Sequence, residues 1–150
     1  MKKAIIGLFA GLALLQAGAE ELTWQTDVPK AVAQAKAEKK LVMLDFTGSD
    51  WCYWCKKLQS EVFSKPEFAA YAKKNLVLVE VDFPHGKKLG EQSAELKKAN
   101  AELQAKYKAD IEGVPTIIVL DAEGKKVGKT GYVEGGPKAW IAEFEKQVKK

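Results

Sequence analysis

Trp51-Cys52-Tyr53-Trp54-Cys55-Lys56 holds the only two cysteines in a chain of 150 residues, with two residues between them. Ahead of it runs Leu41-Val42-Met43-Leu44-Asp45-Phe46, apolar except for Asp45, as expected of a strand covered on both faces. Behind it Cys55, Leu58 and Val62 fall on one face at helical spacing. Thr47-Gly48-Ser49-Asp50 reads as a turn whose polar side chains cap that helix. A dithiol at a strand-to-helix junction can serve as a redox centre, as part of a metal site, or as a structural staple.

Working outward toward the N-terminus, Val28, Val32 and Ala35 predict a helix that ends near Lys39-Lys40. Asp27 stands at its cap and Pro29 in its first turn. Leu22 to Gln25 alternates weakly, as a short edge strand does. On the other side, Pro66 breaks the helix that follows the cysteines, and residues 67–74 resume it with Phe68 and Tyr71 inward. Residues 76–81 form a second buried strand. Leu89, Leu96, Leu103 and Tyr107 mark one long amphipathic helix. After Gly113-Val114-Pro115 comes a third strand, residues 116–120. A hairpin turn at Asp121-Ala122-Glu123-Gly124 leads to a fourth near residues 126–131. Gly135-Gly136-Pro137 opens a last helix, with Trp140, Ile141, Phe144 and Val148 on its inner stripe. The order is β-α-β-α-β-α-β-β-α, an α/β domain. Alternating strands and helices imply parallel pairing, and the final hairpin adds an antiparallel edge.

The first residues stand apart from this pattern. Lys2 and Lys3 precede an uncharged apolar run from Ile5 to Leu15, and Ala17-Gly18-Ala19 fits a small-x-small cleavage site. This is the layout of a secretory signal peptide. The expectation is a signal peptide over 1–19, one domain over 20–150, and a periplasmic or secreted protein. After cleavage no stable membrane insertion is expected, because the apolar run falls short of the roughly 20 residues that spanning needs. The 24 basic residues are all lysine and face 20 acidic ones. Without Lys2 and Lys3 the protein is nearly neutral, and it has no arginine fork for phosphate or base edges. Nucleic-acid binding is therefore not expected.

Export is where structural disulfides belong. Yet one bond between near neighbours closes a loop too short to constrain much of the unfolded chain, so the pair reads as chemical. Cys52 in the first helical turn meets unpaired N–H groups and the positive end of the helix dipole, which favour a thiolate. Cys55, three residues on, lies on the same face within reach. Cys52 can then attack a substrate disulfide, and Cys55 can resolve the mixed disulfide by closing Cys52–Cys55.

Taken together, the strand 41–46, the Trp51-Cys52-x-x-Cys55-Lys56 motif and Gly113-Val114-Pro115-Thr116 resemble a thioredoxin-fold protein over most of residues 22–150. The segment from Asp45 to Cys52 is more similar to exported bacterial members of the thioredoxin-like family than to thioredoxin itself. The resemblance implies a central mixed β-sheet flanked by helices and a cis Val114–Pro115 bond opposite Cys52. It also implies that the Val114 backbone pairs with an extended substrate segment. Asp45 would be the buried acid that takes the proton of Cys55, although the spacing from Asp45 to Cys52 is one residue longer than in thioredoxin.

Trp51 is expected to pack beside the sulfurs and exclude water. Tyr53 and Trp54, in place of the Gly-Pro of thioredoxin, are expected to offer a docking surface. No histidine lies between the cysteines, unlike in strongly oxidising relatives, which favours a reductant. The single histidine, His85, reads as surface.

The function expected is that of a monomeric protein thiol-disulfide oxidoreductase without cofactor or metal. It would act on protein thiols and disulfides and be served by an upstream redox partner. A closed zinc site needs four ligands, and the sequence offers at most three sulfur and imidazole groups. Copper(I) accepts two thiolates, so copper handling by the same pair stands as the alternative. A fold-only binding module that has kept its cysteines is a third reading.

Overall fold

A computed structural model of the chain describes residues 21–148. The expected signal peptide lies outside the described residues. The chain runs β1 (Trp24–Gln25), α1 (Val28–Glu38), β2 (Leu41–Thr47) and α2 (Tyr53–Leu58), which continues as a π-helical turn (Gln59–Phe63). Then come α3 (Pro66–Asn75), β3 (Leu76–Asp82), α4 (Gly86–Glu91) and α5 (Ala94–Lys106). β4 (Thr116–Leu120), β5 (Lys126–Thr130) and α6 (Gly136–Gln147) complete it.

Local chemistry sets most of the boundaries. The Asp27 side chain accepts a hydrogen bond from the Lys30 amide at 2.9 Å, starting α1, and Pro29 sits in the first turn, where its missing donor costs nothing. Lys39, in the left-handed region at φ 55°, turns the chain out of α1 and into β2.

The five strands lie in the order β1-β3-β2-β4-β5. β2 is central, parallel to β3 and antiparallel to β4. Val42, Leu44 and Phe46 point to a core roofed by Ala31 and Ala35 of α1 and by Tyr107. Met43 points to the opposite core with Leu58, Val62, Phe68, Trp140 and Phe144. Covering both faces explains why β2 reads as an unbroken apolar run. Trp140 is wholly buried, and its indole N–H donates to the Gly131 carbonyl at 2.9 Å. The end of α6 lies so close to β5 that a Cβ on Gly128 would stand 2.8 Å from the Gln147 carbonyl oxygen.

Two sequence expectations need correction. The parallel alternation holds for β1, β2 and β3, but the chain reverses already at β4, which enters beside β2 in the opposite sense. Strand direction depends on which end of the sheet the preceding segment delivers the chain to, and no local pattern carries that. The single long helix is in fact two. Ser93 accepts from the Leu96 amide at 3.1 Å and starts α5 afresh, and Leu89 on α4 remains 43% exposed.

Candidate active site

Cys52 is itself the N-cap of α2, with its sulfur accepting the Cys55 amide at 3.1 Å. Cys52 and Cys55 are joined as a disulfide, with Cα atoms 5.3 Å apart, and both are buried. The turn before them does not cap the helix as its polar composition suggests. The Ser49 amide and hydroxyl donate to the Asp82 carboxylate at 2.9 and 2.6 Å. The Asp50 carboxylate accepts the His85 amide. These side chains bind the end of β3 and the loop after it, more than thirty residues away, because a better-placed acceptor, the sulfur, already occupies the helix end.

The Val114–Pro115 peptide is cis. It brings the Val114 carbonyl oxygen to 3.5 Å from the Cys52 sulfur, across 62 residues of sequence. Beside it lies a groove of about 430 Å³ lined by Gly113, Val114, Pro115, Lys129, Thr130 and Gly131, among others. A Cβ on Gly131 would stand 3.1 Å from the Pro115 carbonyl oxygen, so this wall of the groove is close-fitting backbone.

Trp51, Tyr53 and Trp54 are 46%, 67% and 50% exposed. Trp51 therefore belongs to the surface. Its indole N–H donates to the Phe83 carbonyl at 2.7 Å, and its ring stacks on His85 at 4.9 Å. Its other neighbour is Gly48, where a Cβ would fall 2.4 Å from the indole. Trp54 meets Tyr53 and Tyr132 at ring distances of 5.2 and 5.1 Å. Tyr132 donates to Glu61 at 2.6 Å, and the Lys57 ammonium sits 5.2 Å from the rings of both Trp54 and Tyr132.

Sequence reasoning missed His85, Glu61 and Tyr132 as parts of this rim. Tyr132 lies 78 residues from Trp54, and no spacing pattern links them.

Asp45 is the exception to the apolar run of β2. It is 7% exposed, and its Oδ1 makes no hydrogen bond. Burial, helped by the negative Glu80 and Asp82, pushes its carboxyl up to about 8. Glu80 is also raised, by burial first and then by Asp82, against the opposing charge of Lys88. Among the described residues no group of three or more His, Cys, Asp or Glu is placed to hold a metal ion.

Residues 28–147 match the family model of a thioredoxin-like domain. The chain belongs to the thioredoxin-like family. This thioredoxin-like protein is 37% identical over 131 residues to the disulfide bond reductase DsbH of Chlamydia pneumoniae, covering 87% of this chain and 75% of that one. It is 34% identical over 111 residues to the thiol:disulfide interchange protein DsbD of Cronobacter sakazakii, covering 72% of this chain and 17% of that far longer one. A solved DsbH oxidoreductase structure superposes with a TM-score of 0.75 at 36% identity, over 84% of this chain and 83% of that one. With its paired cysteines, this thioredoxin-like protein is a thiol-disulfide oxidoreductase.

Proposed function

We propose that this protein reduces disulfides in other proteins, with Cys52 as nucleophile and Cys55 as resolving thiol. The observation that carries the reading is the Cys52 sulfur, held at the start of α2 and 3.5 Å from the Val114 carbonyl. At the helix start a thiolate is favoured by unpaired N–H groups. Cys52 attacks one sulfur of the substrate and expels the other as a thiolate. Asp45, in its ionised form, takes the proton of Cys55, and Cys55 attacks the Cys52 sulfur. The second substrate thiolate leaves as the Cys52–Cys55 bond closes, so two electrons pass from the dithiol to the substrate. An upstream redox partner then restores the dithiol.

In this reading the Val114 backbone and Pro115 hold an extended substrate segment, while Trp51, Tyr53 and Trp54 form the shelf on which it rests. The reducing direction is supported by the name of the DsbH relative, a disulfide bond reductase, and by the lack of histidine between the cysteines. Residues 1–19 act as a signal peptide, and residues 20–150 work as a monomer in the periplasm or outside the cell. Among the described residues no helix is long and apolar enough to cross a membrane.

The test is thiol-dependent reduction of insulin by the purified protein. Wild type is expected to turn over, Cys52→Ser to lose all activity, and Cys55→Ser to accumulate a mixed disulfide with substrate. Tight binding of one copper(I) per chain without disulfide turnover would overturn the reading.

A further inference from the structure

Asp45 and Glu80 are ladder partners on the neighbouring parallel strands β2 and β3. Adjacent strands run about 4.8 Å apart, and partners in register turn their side chains to the same face. The two acids differ in their access to water. Asp45 is buried with one carboxyl oxygen unpartnered. Glu80 is half-buried and lines a cavity of about 360 Å³ together with Asp82, Lys88 and Glu91. Besides Asp45, these are the charged groups that face Glu80: Asp82 on its own strand, and Lys88 and Glu91 from α4. Lys88 also donates to the Ser49 hydroxyl at 3.2 Å, which keeps its ammonium at the cavity mouth.

Resting on the role given to Asp45 above, we propose that Asp45 and Glu80 are a coupled acid pair that holds one proton between them, with Glu80 the member that exchanges it with water. No hydrogen bond joins the two carboxyls, so the coupling acts through space. Two carboxylates this close ionise together only at a cost, and the more buried one is the one held protonated. Both carboxyls are raised, with burial the first cause for each; the Glu80 charge adds to the shift of Asp45, and the Asp82 charge to that of Glu80.

During disulfide closure the shared proton shifts from Asp45 to the Glu80 carboxylate, and the Asp45 carboxylate so formed takes the Cys55 S–H proton while the sulfur electron pair forms the new S–S bond. Glu80 then releases its proton to cavity water, and the pair is left with one proton, on Asp45. Glu80 thus acts through Asp45, as a positioning residue.

The experiment follows the Asp45 carboxyl carbon by NMR titration in the oxidised full-length protein, alongside the pH profile of insulin reduction. Glu80→Gln is expected to lower the Asp45 midpoint by about one unit. Glu80→Asp is expected to hold it near wild type, and Lys88→Gln to raise it. A purely structural Glu80 would give no such opposed pair of shifts. The proposal is overturned if Glu80→Gln leaves the midpoint in place, or if Lys88→Gln moves it down or not at all. Midpoints that move as expected under an unmoved pH–rate profile would uphold the coupling and overturn the assigned role of Asp45. Loss of all insulin reduction in wild type would instead overturn the reductase reading.

Discussion

Trp140 and Trp51 are the same residue type in two regions that use it in opposite ways. Trp140 is fully buried among Phe63, Phe68 and Phe144, with its N–H given to Gly131. Trp51 is nearly half exposed, with its N–H given to Phe83 and its ring stacked on His85. Both give their one N–H to a backbone carbonyl, which a buried indole such as Trp140 requires. They differ in what the rest of the ring does. In the core under the sheet Trp140 fills volume. Beside the cysteines Trp51 ties the turn before Cys52 to the loop after β3 and stays in contact with solvent.

The largest break in this comparison should come from Trp140→Ala. Emptying that site should cost about 3–5 kcal/mol in denaturant unfolding, while any protein that remains folded keeps its disulfide exchange. Stability unaffected by the truncation would mean that the α3–α6 core is not what holds this end together.

Asp45→Asn tests the buried acid of β2. The native protein keeps a proton on Asp45 up to about 8, whereas the unfolded chain releases it near the ordinary value of 3.8. Native protein thus binds more protons between those values. This term therefore lowers stability as pH rises from about 4 to 8 by at most about 1.4 kcal/mol per unit, and it is flat above. The asparagine variant should lack this fall and be more stable than wild type at pH 8. Parallel stability–pH curves for the two proteins would show that Asp45 titrates normally.

A smaller effect should come from Trp51→Phe, which keeps a ring over Gly48 and against His85 but removes the bond to Phe83. A loss of about 1 kcal/mol is expected, together with a raised KM for insulin and little change in kcat. A change in kcat alone would place Trp51 in the chemistry and not at the rim.

Much of this molecule is legible along the chain. Leu41 to Phe46 announces a strand covered on both sides, Asp27 and Pro29 announce the start of α1, and the cysteine spacing announces a dithiol at a helix start. All are local signals, written in neighbouring side chains or in a fixed period. The thioredoxin fold with its mixed sheet was implied by the resemblance that the strand 41–46, the cysteine motif and Gly113-Val114-Pro115-Thr116 carry together. Leu89 misled because its spacing fits a continuous helix. Ser93 supplies a cap that ends the period, and only packing tells which leucines reach the core. Ser49 and Asp50 misled in another way. Their composition suits a helix cap, but Cys52 takes that position and frees them to bind Asp82 and His85.

By itself the sequence determined that a lone cysteine pair stands between a buried strand and a helix, in a chain without arginine and with one acid in its central strand. Only the tertiary structure decided which way β4 runs, that Glu80 lies beside Asp45, and that Tyr132 and His85 steady the aromatic rim. Each of these joins residues 34 or more positions apart. Such pairs are brought together by the path of the chain through the sheet, and that path leaves no period or spacing in the order of the amino acids.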